Sequence, residues 1–125
     1  MSASALDRLI AGLSFNEQGL IPAIAQQHDS GEVLMLAWMN EASIRESVAT
    51  GRVCYYSRSR RSLWRKGESS GHVQALVELR FDCDQDCLLL QVEQTGPACH
   101  TNRRSCFYTA LRDDDLVELS RPIAD

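Results

Sequence analysis

Three carboxylates at alternate positions enclose a thiol in the stretch Phe81-Asp82-Cys83-Asp84-Gln85-Asp86-Cys87, so hard oxygen and soft sulfur ligands come from the same few residues. Oxygen-only sites suit Mg²⁺, Mn²⁺ or Ca²⁺, whereas thiolates favour zinc, and no single ordinary ion takes both sets at once. On an extended strand, residues two apart share a face, which would point Asp82, Asp84 and Asp86 one way and Cys83 the other. That alternation predicts two neighbouring metal sites. Two other readings compete with it. Counted from Asp82, positions one, three and five are Asp and position twelve is Glu93, as in a calcium-binding EF-hand loop. Position six, however, is Cys87 where that loop needs glycine, and Leu88, Leu89 and Leu90 offer no side-chain oxygen. The remaining reading is a solvated acidic turn that holds no ion.

Cys83, Cys99 and Cys106 are separated by 16 and 7 residues, which is not the paired-knuckle spacing of zinc fingers and ribbons. Structural zinc sites are closed by four ligands, whereas catalytic ones use three protein ligands and leave a position for water; three scattered thiols fit the second pattern. The same cysteines could instead be small buried hydrophobes, and a fourth ligand from Cys87 or His100 would make the site structural. Three thiolates acidify a bound water less than three histidines do, unless Arg103, Arg104 or a second metal adds positive charge.

Between Arg58 and Lys66 lie five of the 13 basic residues, with Trp64 among them. This stretch could contact RNA or DNA, with Trp64 as a stacking surface, or grip the phosphates of a small nucleotide. It could also be no more than a solvated basic loop. The acidic balance of the whole chain, a net charge of −4 and pI near 5.3, favours the small ligand over a nucleic acid. His72 and His100 are the histidines placed to act as general acid or base, or to serve as structural hydrogen-bonding groups. The zinc nucleobase deaminases are disfavoured, because Pro97-Ala98-Cys99-His100 lacks both the adjacent proline and the second cysteine of their motif.

These residues must be positioned by one domain of 125 residues, 44% hydrophobic and 24% charged. No apolar run approaches ~18 residues, and Met1 to Leu13 lacks the form of a signal peptide, so a cytoplasmic protein with no membrane contact is expected. Five cysteines, an odd number, favour metal ligation or free thiols over a disulfide framework. Ser4 to Leu13 reads as an amphipathic helix capped by Ser4, packing as a lid on a sheet. Leu20 to Gln27 and Glu32 to Met39 form a hairpin around His28-Asp29-Ser30-Gly31, and Asn40 caps a helix that ends at Gly51 with Ile44 and Val48 inward.

Val53 to Ser57 is a strand leading into a long loop, Arg58 to His72. Val73 to Cys83 alternates, with Val73, Ala75, Val77, Leu79, Phe81 and Cys83 on the apolar face and Leu76 the exception on the polar one, and delivers the carboxylates at its end. Leu88 to Val92, Phe107 to Leu111 and Leu116 to Leu119 complete the strands, the last two joined by Asp113-Asp114-Asp115. The expected class is α+β, a mostly antiparallel, curved sheet with two or so flanking helices.

Taken together, Asp82-Cys83-Asp84-Gln85-Asp86, the blocks Tyr55-Tyr56-Ser57-Arg58-Ser59-Arg60 and Leu63-Trp64-Arg65-Lys66-Gly67-Glu68, Ser70-Gly71-His72, Ala37-Trp38-Met39-Asn40 and Cys99-His100 resemble the phosphoribosyl-AMP cyclohydrolase family of histidine biosynthesis. The resemblance runs from about Leu20 to Leu111, and it is the combination of blocks that is specific. In some family members a phosphoribosyl-ATP pyrophosphatase domain follows; this chain ends soon after Leu119, so a single stand-alone domain over residues 1–125 is expected.

The resemblance implies an obligate or intertwined homodimer, dependent on Zn²⁺ and Mg²⁺. It would hydrolyse the N1–C6 bond of the adenine ring of phosphoribosyl-AMP with a zinc-activated water, giving the formimino-aminoimidazole carboxamide ribonucleotide. By position, Cys83, Cys99 and Cys106 would hold zinc with thiolates contributed across the dimer interface, and Asp82, Asp84 and Asp86 would hold magnesium. His100 or His72 would move protons, while Arg58, Arg60, Trp64 and Lys66 would bind a substrate that carries phosphate at two ends. The alternative is a small zinc-stabilised nucleotide- or RNA-binding module, which would unfold on zinc removal and lose affinity steeply with salt.

Overall fold

The computed structural model describes residues 4–123. Helix α1 (Ala5–Gly12) begins at a capping box in which Ser4 and Asp7 bond each other's backbone N–H, and β1 (Ile21–Gln27) and β2 (Val33–Met39) form the expected antiparallel hairpin. Asn40 and Ser43 make the same reciprocal cap on α2 (Glu41–Thr50), which Gly51 ends in the left-handed region at φ 75°. The strands β3 (Cys54–Ser57), β4 (Ser62–Arg65), β5 (Gln74–Phe81) and β6 (Leu88–Gln94) complete a six-stranded sheet of order β4-β3-β2-β1-β6-β5. A separate hairpin, β7 (Thr109–Arg112) and β8 (Asp115–Glu118), turns through Asp113 and Asp114, both at positive φ. Among the described residues no helix is long and apolar enough to cross a membrane.

One sequence expectation needs refining and three need correction. The sheet is mostly antiparallel, as expected, but mixed rather than purely so, because β1 and β6 pair in parallel from Ala23↔Leu88 to Gln27↔Val92 in its interior. Both strands are consequently flanked on two sides, and Ile21, Ala23, Ala25, Leu88, Leu90 and Val92 are fully buried. The segment read as a loop after Ser57 contains β4, whose Leu63 and Trp64 pair with Tyr56 and Tyr55, with Trp64 packed against the core.

In β5 the faces are reversed at first. Gln74 is buried and Leu76 packs on the core, and an irregularity at Val77 then resets the alternation so that Leu79 also turns inward while Val77 and Phe81 stay exposed. Val48 of α2, expected inward, is 43% exposed; Ser43 and Ser47 take the buried positions beside Ile44. Ser47 can sit there because its hydroxyl donates to the Ser43 carbonyl and accepts from the Cys54 N–H, 2.8 Å each.

Buried polar side chains also join β3, β5 and β6. The Tyr55 hydroxyl donates to Gln74 Oε1 at 2.6 Å, and Gln74 Nε2 donates to Gln94 Oε1 at 2.8 Å. Tyr55 and Gln74 are both fully buried, so Tyr55→Phe removes the donor and leaves a carbonyl oxygen without a partner. The expected loss is about 1–3 kcal/mol in chemical denaturation; an unchanged stability would mean the hydroxyl is dispensable.

Candidate active site

Beyond β5, the chain does not continue as a strand. Asp82 to Cys87 is a turn, closed by Asp82 N–H to the Cys87 carbonyl and by Gln85 N–H to the Asp82 carbonyl, 3.1 Å each, with Gln85 at φ 63°. Asp82 Oδ1 accepts from the backbone N–H of Asp86 at 3.0 Å and of Cys87 at 3.3 Å. The turn docks under α1, where Ser14 N–H donates to the Gln85 carbonyl at 2.8 Å. Carboxylate oxygens of Asp82, Asp84 and Asp86 come within 4.8 Å of one another. The trio therefore converges as expected, but by a reversal of the chain and not by alternation along a strand.

Hydrogen bonds to Asp84 and Asp82, then burial, push the Asp86 carboxyl up to about 6. Burial acts upward on Asp82 too, but the hydrogen bonds from Asp86 outweigh it and hold that carboxyl low. Three crowded hard-oxygen donors of this kind fit a small divalent cation such as Mg²⁺.

At the other end of β6 the chain enters the polar loop Thr95 to Cys106. Ala98 N–H and Cys99 N–H donate to the carbonyls of Arg104 and Arg103, and Cys106 N–H donates to the Leu34 carbonyl at 2.7 Å, which folds the loop back on itself. That reversal brings Cys99 and Cys106 to line the same cleft, near enough for each thiol to act on the other's ionisation. Burial opposes ionisation of Cys99, yet hydrogen bonds from Thr101, whose hydroxyl lies 3.0 Å from the sulfur, and from Cys106 bring its thiol below the ordinary range. Burial, and then the bond with Cys99, pushes Cys106 up to about 11. Lys66 lies close enough to act on Cys106 and Cys99, and burial lowers its own ammonium. Two adjacent soft donors beside a cation fit zinc.

The two thiols open on a cleft of about 800 Å³, which is also lined by Arg60, Trp64, Lys66, His72 and His100. The Lys66 ammonium sits 5.3 Å from the centre of the Trp64 ring and donates to the Ala98 carbonyl. Seven of the residues singled out in the sequence thus share one cavity. Arg58 does not line it; its guanidinium lies 4.7 Å from the centre of the Trp38 ring. Cys83 is also elsewhere, exposed in the aspartate turn, and among the described residues neither Cys83, Cys87, His100 nor any carboxylate makes a three-ligand set with Cys99 and Cys106. Strand β6 alone spans roughly 20 Å between the two loops.

One group was missed from sequence. His28, Asp29 and Glu93 also bring ligand atoms within 4.8 Å, from the ends of two strands whose pairing no local pattern reveals. Gln27 Nε2 donates to both carboxylates and His28 Nε2 lies 3.0 Å from Glu93, so these groups satisfy one another.

A cleft that combines two thiols, two histidines, an aromatic face and cations, carried on a small α+β sheet, has the make-up of an enzyme site for a small molecule. A family profile described as phosphoribosyl-AMP cyclohydrolase matches residues 35–108. Proteins of that name are similar over most of the chain. The one from Alkalilimnicola ehrlichii is 68% identical over 96% of this chain and 84% of its own length. That from Paracoccus denitrificans is 66% identical over 90% and 93%, and that from Acidiphilium cryptum 67% identical over 90% and 97%. The chain belongs to the phosphoribosyl-AMP cyclohydrolase family.

Proposed function

We propose that this protein hydrolyses the N1–C6 bond of the adenine ring of phosphoribosyl-AMP, a cytoplasmic step of histidine biosynthesis. The observation that carries the reading is the single cleft that gathers Trp64, Lys66, His72, Cys99, His100 and Cys106 in a chain of this family. One water is consumed: its oxygen bonds to C6, the C6–N1 bond breaks, and N1 takes up a proton. Ribosylation at N1 makes C6 electrophilic, and the ring face of Trp64 offers a surface for the base. Lys66 and Arg60 offer charge to the phosphates from within the cleft, and Arg58 reaches only a phosphate that extends past its rim. His72 and His100 are the cleft's candidates for carrying the protons.

Cys99 and Cys106 supply two thiols, and a closed catalytic set needs a third. Cys83 of the same chain is at the wrong end of β6; Cys83 of a second copy supplies it, and with it brings Asp82, Asp84 and Asp86 beside the cleft. Those three thiols would hold zinc, whose chemistry when bound is that of a Lewis acid toward water, and Asp82, Asp84 and Asp86 would hold Mg²⁺.

The β7–β8 hairpin supports an association of two copies. A two-stranded hairpin is marginal alone, and this one leaves Leu111 74% and Leu116 78% exposed as a cross-strand pair, with Phe107 and Leu119 also exposed. Arg103 ties the hairpin to the cysteine loop, donating to Glu118 at 2.6 Å and stacking 3.9 Å from the Tyr108 ring centre. Covering the hairpin would therefore also steady the thiols.

The test is a spectrophotometric assay of purine-ring opening with and without chelator. Turnover that chelation abolishes and zinc restores is expected. Affinity for RNA that falls steeply with salt, with no ring opening, would instead identify a binding module.

A further inference from the structure

We infer that His72 is the group that carries the proton in this cleft, and that Gly67, Gly96 and Gln94 are positioning residues acting through it; this rests on the hydrolase reading above. Three separate contacts fix the histidine. Gly67, at φ 79°, lies so close beneath its backbone that a β-carbon there would come within 2.4 Å of the His72 carbonyl carbon and of Val73 N. Gly96, at φ 69°, lies beneath its ring, where a β-carbon would meet Cδ2 at 2.9 Å and Nε2 at 3.4 Å. The buried Gln94 amide donates to the His72 carbonyl at 3.2 Å and to the Thr95 carbonyl at 3.0 Å, so one side chain ties His72 to the loop that leads to Cys99. Gln94 is itself held by Gln74, and through it by Tyr55.

What these contacts leave free matters as much. Among the described residues the ring nitrogens of His72 and of His100 have no hydrogen-bond partner, whereas His28 commits Nε2 to Glu93; of the two cleft histidines His72 is the half-buried one that these contacts seat, and His100 is exposed. A histidine kept for structure spends its ring nitrogens on the protein. His72 is located by packing and by its backbone and faces the cleft with both nitrogens uncommitted, the condition for a preorganised acid–base group. His72 accepts one proton of the water as the oxygen bonds to C6 and delivers it to N1 as the C6–N1 bond breaks, while the second water proton passes to the exocyclic nitrogen on C6 as the oxygen becomes the carboxamide carbonyl. The histidine thus returns to its starting form.

A double-mutant cycle on the zinc-loaded enzyme tests this. His72→Ala is expected to lower kcat by about 10²–10⁴-fold. Gly96→Ala, which pushes the ring from its seat, is expected to lower kcat by about 10-fold or more with KM near the parent value, because ångström-scale misplacement can cost about 10²-fold. In the His72→Ala background, Gly96→Ala should cause no further loss. Equal losses in both backgrounds, or full kcat in His72→Ala, overturn the inference.

The Cε1–Hε1 NMR signal of His72 should move in Gly96→Ala, and an unmoved signal counts against the contact. If Gly96→Ala does not fold, Gly96→Asn carries the same cycle, since Asn tolerates left-handed backbone. Should neither fold, recovery of folding on adding His72→Ala supports the contact, and no recovery overturns it. An inactive parent defeats the hydrolase reading itself; additive losses in an active parent defeat only this one.

Discussion

Mixing two inactive variants restores activity if the third thiol comes from a second copy. Cys83→Ser and Cys99→Ser are each expected to lose zinc and to lower turnover by roughly 10³-fold or more, because neither leaves a complete ligand set. In a hybrid dimer, one site carries both substitutions and the other carries neither. With random exchange half of the dimers are hybrids, so the mixture should recover about one quarter of the parent activity and zinc content. Cys99→Ser mixed with Cys106→Ser recovers nothing, since those thiols line the same cleft of one chain and every site then lacks one of them. Recovery in neither mixture would mean that the copies do not share the site.

The second large effect is expected at Asp84→Asn, with opposite signs for activity and for metal-free stability. Loss of a direct ligand should lower Mg²⁺-dependent activity by about 100-fold or more, beyond what outer-shell changes cost. Without metal, the three carboxylates within 4.8 Å repel one another, and the hydrogen bonds to Asp84 and Asp82 hold a proton on Asp86 to about pH 6. Because that folded value lies above the unfolded one near 3.8, the stability it contributes is fully present below about pH 4. It is lost as the pH rises through about 6. Metal-free parent protein should therefore melt lower at pH 7.5 than at pH 5. Mg²⁺ should raise its melting temperature at the higher pH, and Asp84→Asn should weaken both effects. A variant with unaltered Mg²⁺ dependence would reduce the trio to an acidic turn.

What could be read in the sequence divides along the range of the interactions. Both helices and their caps were legible, because Ser4, Asp7, Asn40 and Gly51 act within one turn of where they stand, and so was the β1–β2 hairpin around its short connector. Strand β4 was hidden by the arginines and serines around it; Leu63 and Trp64 become a strand only because Tyr55 and Tyr56 lie alongside. The parallel pairing of β1 with β6 has no local signature, and neither does the irregularity at Val77 that exchanges the faces of β5. At the site, seven of the residues singled out do line one cleft, yet spacing alone could not show that Cys83 stands apart from its fellow thiols. Nor could it show that Gly67 and Gly96 seat a histidine, because a glycine's purpose is written in what approaches it.

The parallel ladder also dictates the order in which the molecule can be made. Gln26 and Gln91, bonded across it, are 65 residues apart in sequence. At roughly 5–20 residues per second on the ribosome, β1 waits on the order of several seconds for its partner. Until then one edge of the nascent β1–β2 hairpin is an open template for any passing strand. Leu88, Leu90 and Val92 then arrive together to close the core, so a product cut short before Leu88 keeps that sticky edge for good. Pairing over such a separation makes refolding slow compared with a helical protein of this size, and a nascent-chain chaperone would have its greatest effect during that interval.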